Sequence, residues 1–512
     1  MPIEFTDTDI QEITAHDLTP ATVMRQLMRL EQGYPSAQIT SVVKPHNGLR
    51  QVAEEEAERL IRTYEDFKGT RAKFVPASGA ASRMFSKLFT YLEEGKKDNP
   101  FPENPENFPF WAVLNSWSIE ETQKNIEYYL YKEEYPFVVK AIIGHPGLGL
   151  ADLPKALVPF HRYMNGIVRT PIDEHIVEGI RYALMPNNEV RIHFTVSPEH
   201  QEKIRNFCAA LTPEYEEKYG IKLLISLSVQ APSTDTVAIT PERELFRDEN
   251  GHILFRPGGH GALLANLQNM QEEIIFIKNI DNVTRESMQR RSTRYKKILA
   301  GILLLLREQI YRYLVRLESG KVGKDELAEI FAFCKQELYF NFNEGIEKLP
   351  DEKKIAFLFK RLNRPIRVCG LVPNEGEPGG GPYWVRERDG SESLQIVEGA
   401  QLDMTNPRVQ VIVQKSRYFN PVDLVCCIRN YKGEVFALDQ FVNPNMGLIV
   451  HKTYHGEPLV GLEPPGLWNG AMADWITLFV EVPAVTFTPV KELNDLLRPE
   501  HQYDPTAPES TE

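Results

Sequence analysis

Phe74-Val75-Pro76-Ala77-Ser78-Gly79-Ala80-Ala81-Ser82-Arg83-Met84 runs a short apolar strand into a turn of small residues and then into a helix. The strand reads from residue 73 to 76. Ser78-Gly79 ends it, and helix-forming residues resume at Ala81. This order decides the fold, because it repeats downstream. Strands are expected at 156–160, 190–196, 222–229 and 274–278. A helix is expected at 172–184, and another where Ser197-Pro198-Glu199 opens one. Such alternation implies an α/β fold, a mostly parallel sheet with helices on both faces.

Outward from this stretch, residues 1–70 read as a helical N-terminal segment. Thr19-Pro20 is a cap with proline in the first turn, and Met24, Leu27, Met28 and Leu30 follow at helical spacing. Residues 71–290 form the expected α/β domain. Its insertion near 95–150 opens with the Pro- and Asn-rich run KKDNPFPENPENFP. Residues 291–363 read as helical. Residues 364–498 are a β-rich C-terminal region of mixed α+β character, with strands near 409–413 and 424–428, and 499–512 read as a disordered tail.

A chain of 512 residues is too long for one ordinary core, so two or three domains are expected. The net charge of -13 argues against general nucleic-acid binding, which needs a basic surface. The acidic start MPIEFTDTDIQEI lacks the basic and apolar regions of a signal peptide. The apolar run AGILLLL between Lys297 and Arg307 is too short to span a bilayer. Five cysteines, odd in number and without a CxxC pair, suit reduced thiols in a cytoplasmic protein with no membrane partner.

Four segments carry chemistry. In the first, small side chains at Ser78, Gly79, Ala80, Ala81 and Ser82 let backbone N–H groups approach a phosphate, and Arg83 adds a bidentate cation. An ordinary tight turn has the same composition. No Gly-Lys-Ser/Thr follows and no GxGxxG is present, which disfavours the Walker and dinucleotide-binding classes. In the second, Leu153-Pro154-Lys155, a lysine behind a proline and before an apolar run is held in place, either to meet an anion or simply to mark a strand start. In the third, Phe255-Arg256-Pro257-Gly258-Gly259-His260-Gly261-Ala262, glycines let backbone lie against a ligand, or make a plain turn. In the fourth, Ile274-Ile275-Phe276-Ile277-Lys278-Asn279-Ile280-Asp281-Asn282, an apolar strand ends in Asp281. Ligands of open α/β sheets sit at such carboxyl ends, and a carboxylate there suits Mg²⁺ beside phosphates or caps the next helix.

In this order the four elements resemble the sugar-nucleotide pyrophosphorylases over the N-terminal two-thirds of the chain, most nearly the UDP-sugar and UDP-N-acetylhexosamine group. The full set is also similar to an uncharacterised bacterial family of that fold. The loop of that group, Gly-Gly-x-Gly-Thr-Arg-Leu/Met, corresponds to Ser78-Gly79-Ala80-Ala81-Ser82-Arg83-Met84, its Pro-Lys to Pro154-Lys155, and its base-reading Gln to Gln230 before Pro232. Its Gly-His-Gly loop corresponds to Gly259-His260-Gly261 and its metal-binding Asp-Asn to Asp281-Asn282.

The resemblance implies a GT-A-like, nucleotide-diphospho-sugar transferase fold. It implies a Mg²⁺-dependent nucleotidyltransferase that joins a nucleoside triphosphate and a sugar-1-phosphate and releases pyrophosphate. Arg83 and Lys155 would hold phosphates, Asp281 the metal, and Gln230 with the Gly259 loop the base. Asp403 and Asp474 are candidate second metal ligands, and Glu375 with Gly380 a candidate sugar loop. Two alternatives remain: a glycosyltransferase, which normally shows Asp-x-Asp where this chain has Asp281-Asn282-Val283, and a non-catalytic sugar-nucleotide-binding protein. Ala81 favours the latter, adding a methyl where glycine is usual.

Overall fold

The computed structural model describes residues 4–164, 166–376 and 379–502. They form two compact units. Among the described residues, one comprises 4–69, 230–277 and 297–483, and the other 70–229, 278–296 and 484–502. This differs from the linear division read from the sequence. Residues 230–277 group with the N- and C-terminal stretches, and 484–502 return to the 70–229 unit. Local patterns carry no signal for a chain that leaves a unit and comes back.

In the 70–229 unit, strand Arg71–Pro76 pairs in parallel with Glu189–Val196, which pairs in parallel with Lys222–Val229. Helix Pro171–Ala183 packs on the first two strands and helix Gln201–Tyr219 on the third. The first helix starts where the sequence dictates: Thr170 and Asp173 form a reciprocal capping box and Pro171 occupies the first turn. Its apolar face, Ile172, Ile176 and Val177, is buried with Val75, Val190, Ile192 and Phe194. The insertion folds as helices Trp111–Thr122, Ile126–Tyr131 and Tyr135–Ile143. These bury Trp111, Leu114 and Val139 in one apolar cluster with Phe85, Leu493 and Leu496.

The other unit holds strands in the order Lys44–Pro45, Gly48–Arg50, Ile476–Glu481, Ile366–Pro373, Asp423–Cys427 and Ile274–Lys278. Ile366–Pro373 runs parallel to Ile476–Glu481 and antiparallel to Asp423–Cys427, so the fold is mixed α/β with parallel-containing pairing. A separate four-stranded sheet joins Phe255–Arg256, Thr236–Ile239, Glu457–Glu463 and Leu448–Tyr454. Helices Gln289–Glu318, Lys324–Gln336 and Asp351–Leu362 occupy the stretch expected to be helical.

Several local expectations are corrected. Residues 156–160 are not a strand: Lys155–Leu157 is a 3-10 turn, because Pro154 and Pro159 bracket the run and Pro159 has no N–H for a ladder. Ala81–Arg83 is also a single 3-10 turn, and the α-helix begins at Ser86. Residues 409–413 lie in helix Pro407–Gln414 despite their β-branched side chains. Asn406 caps that helix and Pro407 starts it, which outweighs weak strand propensity. The N-terminal segment holds strands Ile39–Val42, Lys44–Pro45 and Gly48–Arg50 beside its helices. His501 is buried, so the expected tail is packed through residue 502, and 503–512 lie outside the described residues. All five cysteines are free and buried. Among the described residues no helix is long and apolar enough to cross a membrane.

Candidate functional site

Strand Arg71–Pro76 delivers the small-residue turn. The Ala77 amide donates to Thr195 at 2.8 Å and ends the pairing. Ser78, Gly79 and Ala80 are then exposed. Two backbone bonds clamp the turn to the lysine segment: Lys155 N–H to the Gly79 carbonyl, 3.0 Å, and Ala81 N–H to the Leu153 carbonyl, 3.1 Å. The amides of Ser78, Gly79 and Ala80 make no backbone hydrogen bond among the described residues. A Cβ on Gly79 would meet no atom within 4 Å, so the missing side chain serves neither packing nor a strained backbone. Neighbouring free amides on an open turn make an anion cradle. Ala81 is fully buried in the apolar cluster of Met84 and Phe85. Its methyl therefore faces the core, and the substitution does not obstruct the turn. Arg83 is exposed.

The Lys155 side chain leaves that clamp toward the strand end. Its Nζ lies 2.8 Å from Oδ2 of Asp281, with only 12% of its side chain exposed. A second lysine, Lys491, reaches the same oxygen at 2.9 Å, with 50% of its side chain exposed. Burial lowers the Lys155 pKa, opposed by Asp281. Burial alone would raise that of Asp281, but the two ammonium groups more than offset it and hold the carboxylate ionised. The backbone fixes this arrangement as well: Ile280 N–H donates to the Pro76 carbonyl at 3.2 Å, and Val490 N–H donates to the Asp281 carbonyl at 3.0 Å. Thr488 N–H donates to Oδ1 of Asn282 at 3.0 Å. The four pieces thus converge in one unit, although Lys155 and Asp281 lie 126 positions apart and Asp281 and Lys491 lie 210 apart.

Lys491 was not among the sequence candidates. Its signal was there: Pro489-Val490-Lys491 anchors a lysine behind a proline, as Pro154-Lys155 does. Oδ1 of Asp281 is buried and has no hydrogen-bond partner. Among the described residues no cluster of three or more His, Cys, Asp or Glu could hold a metal. A metal here would therefore rest on one carboxylate oxygen completed by ligand oxygens, a mode that suits Mg²⁺.

The remaining candidates belong to the other unit. Gln230 is half-buried, its Nε2 3.5 Å from Oδ1 of Asp235. His260 stacks on Trp468 with ring centroids 4.1 Å apart, and its Nδ1 accepts the Leu467 N–H at 3.1 Å. That bond places the proton of the neutral ring on Nε2. Burial pushes the His260 pKa down to about 4, so the ring is neutral at pH 7. His260 is thus packed rather than mobile. A cavity of about 520 Å³ is lined by Ser233, Thr234, Asp235, Gly261, Ala262 and other residues. The turn after Gln230 and the Gly259-His260-Gly261 loop therefore border one space.

Asp403 caps its own turn, accepting from Thr405 N–H at 3.0 Å and Oγ1 at 2.5 Å. Asp474 sits 3.6 Å from Arg364. Both carboxylates thus have local partners. A Cβ on Gly380 would strike Ile396 at 2.5 Å, a packing reason for glycine there. Glu375 is exposed.

Several solved structures are similar to this chain. A variant of UDP-glucose pyrophosphorylase from Leishmania major in complex with UDP-glucose is 13% identical, with 96% of this chain and 79% of that chain covered and a TM-score of 0.45. A second variant of the same enzyme, also with UDP-glucose, gives 13%, 96%, 79% and 0.47. A UDP-N-acetylglucosamine pyrophosphorylase from Trypanosoma brucei with an inhibitor gives 11%, 97%, 85% and 0.45. Among curated proteins none matches the sequence. The model of the family described as domain of unknown function (DUF4301) matches residues 6–502, and the chain belongs to that family.

Proposed function

We propose that this chain is a nucleotidyltransferase of the sugar-nucleotide pyrophosphorylase kind, with a GT-A-like catalytic unit. The observation that carries the reading is the convergence of Lys155 and Lys491 on one oxygen of Asp281, clamped against a turn with three free amides. Such a site fits a polyphosphate: fixed cations, backbone donors and an open approach, with little other chemistry for the protein to supply.

In the proposed reaction an oxygen of a sugar-1-phosphate attacks the α-phosphorus of a nucleoside triphosphate. The bond from that phosphorus to the bridging oxygen breaks, and pyrophosphate leaves with the electron pair. The amides of Ser78, Gly79 and Ala80 hold phosphate oxygens, with Ser82 and Arg83 beside them. Lys155 and Lys491 exchange Asp281 for the phosphates and neutralise charge as it shifts toward pyrophosphate. Asp281 would hold Mg²⁺ through Oδ1, and the ion would supply further charge neutralisation. Gln230 and the Gly259-His260-Gly261 loop are assigned to the base, and the cavity lined by Gly261 and by Ser233 to Asp235 has a volume typical of small-ligand sites.

The test is a thermal-shift screen of each nucleoside triphosphate with Mg²⁺, followed by pyrophosphate release over a panel of sugar-1-phosphates. One triphosphate should stabilise the protein, and one sugar phosphate should then release pyrophosphate in a reaction that Lys155→Met abolishes. No stabilisation by any triphosphate, or release indifferent to Lys155→Met, would overturn the reading.

A further inference from the structure

Among the buried ionisable groups of helix Pro171–Ala183 are Glu174, His175 and Glu178, on adjoining turns. Nε2 of His175 lies 3.2 Å from the carbonyl of Asn279 and 3.2 Å from that of Ile280. Both neighbours are acceptors, so Nε2 carries the proton and donates to both. Nδ1 has no partner. A second proton on the ring would thus be buried and unpaired near the ammonium of Lys73, and burial followed by Lys73 keeps the His175 pKa far below its usual range. The neutral ring is a donor aimed at the two peptide units that lead into Asp281.

One turn further on, Glu178 joins two lysines of the same unit. It accepts from Lys73 at 2.9 Å, on strand Arg71–Pro76, and from Lys278 at 2.7 Å, three residues before Asp281. Lys73 also donates to the His175 carbonyl at 3.0 Å. All three side chains are essentially excluded from solvent. Gly179 lets the helix lie close, since a Cβ there would meet Ile192 at 2.9 Å. Charges buried this deeply cost stability relative to apolar packing. In exchange they join the strand that ends in the Ser78 turn to the segment that ends in Asp281.

We propose that His175, supported by Glu178, is the positioning residue that sets the distance between the Asp281 carboxylate and the free amides of the Ser78 turn. The inference rests on the nucleotidyltransferase reading for its kinetic consequence, but not for its structural one. A misplacement of about 1 Å at such a site lowers turnover by up to roughly a hundredfold.

Three variants test it. Glutamine places an amide donor where Nε2 stands, asparagine places one where Nδ1 stands, and alanine offers none. In hydrogen exchange, His175→Ala and His175→Asn should speed the amides of Ile280 and Asn282 roughly tenfold or more. Protection in strands Arg71–Pro76 and Glu189–Val196 should stay unchanged, and His175→Gln should restore wild-type exchange. Inorganic tripolyphosphate binding should weaken in the same order. With the triphosphate and sugar phosphate found active, kcat should fall roughly tenfold to a hundredfold in His175→Ala, with KM held and glutamine rescuing.

If wild type neither binds tripolyphosphate nor turns over, the functional reading fails while the exchange data still judge the clamp. Unchanged exchange at Ile280 and Asn282 in His175→Ala overturns the proposal. So does protection lost equally at Ile280, at Asn282 and in both strands and not restored by glutamine, which marks His175 as core packing only.

Discussion

Replacing Asp281 by alanine should destabilise the unit that contains it, and the structure sets the size of the effect. Oδ2 of Asp281 holds Lys155 at 2.8 Å and Lys491 at 2.9 Å. The two ammonium groups are therefore less than about 6 Å apart, a repulsion of about 3 kcal/mol at a typical effective dielectric. Lys491 is half exposed and swings into water when the carboxylate is gone, so most of that term is lost to screening. Lys155 has no such exit. Stripping the partner from a buried charge costs about 3–5 kcal/mol, and here the cost is limited because burial already eases deprotonation of Lys155.

The expected loss is about 2–3 kcal/mol, a fall of roughly 5–10 °C in Tm for a unit of this size. Urea unfolding of wild type and Asp281→Ala across pH 3–7 measures it. The folded-state pKa of Asp281 lies below its ordinary value of 3.8. Its contribution is therefore complete above that value and is lost as pH falls through the lower folded one. The stability gap should be flat from pH 5 to 7 and close below about pH 4. A variant as stable as wild type at pH 7, or a gap that persists unchanged to pH 3, would refute the ion-pair account. Reading the sequence without Lys491 suggests the opposite sign, because an uncompensated buried anion is relieved by its removal.

Other outcomes follow from the same geometry. Lys491→Met should change stability by less than about 1 kcal/mol, since the side chain is half exposed, yet cut pyrophosphate release about a hundredfold; equal effects on both would show a structural role. Gly79→Val should leave urea unfolding within about 0.5 kcal/mol of wild type while weakening tripolyphosphate binding in calorimetry, and unweakened binding would remove the turn from the site. Burial raises the Glu174 pKa to about 7, opposed by Arg169. Its protonated form is thus favoured on folding, and its contribution to stability falls as pH rises from about 4.5 to 7. Glu174→Gln should flatten the pH dependence of unfolding in that window, and an unchanged slope would show that Glu174 is ionised throughout.

The strands at 222–229 and 274–278 were legible because each is a largely apolar run closed by a turn signal. The run 156–160 has similar composition, but its flanking prolines decide the outcome, and composition alone cannot weigh a missing N–H. The helix at Pro407–Gln414 shows the converse. Val409, Val411, Ile412 and Val413 read as a strand until the Asn406 cap and Pro407 are counted. Within the site, Lys155 and Asp281 could each be named from local sequence. That they form one ion pair could not, because the 126 positions between them include a segment, 230–277, that belongs to the other unit. Lys491 was hidden in a proline-punctuated stretch, EVPAVTFTPVKEL, that matches no strand or helix pattern of useful length. Its partner on Asp281 comes from a different stretch of the unit, and one sequence holds no mark of that contact.

The unequal burial of the two lysines bears on how such a site would work. Lys155 is enclosed and its backbone is bonded to the Ser78 turn, so its ammonium has one place to be. Lys491 keeps half its side chain in solvent and is held mainly by Asp281. In the free protein Asp281 balances both cations, which keeps buried Lys155 charged and ready although burial pulls its pKa down. A polyphosphate arriving on the free amides offers both lysines an alternative anion. The enclosed lysine pays little entropy to accept it, whereas the exposed one must be captured. Lys155 then suits the phosphate that stays fixed, and Lys491 the group whose charge grows as it leaves. The carboxylate they give up gains no new hydrogen bond from the protein, since Oδ1 already lacks one. Under the proposed reading, that unmet anion is what makes a divalent cation and a triphosphate bind better together than either does alone.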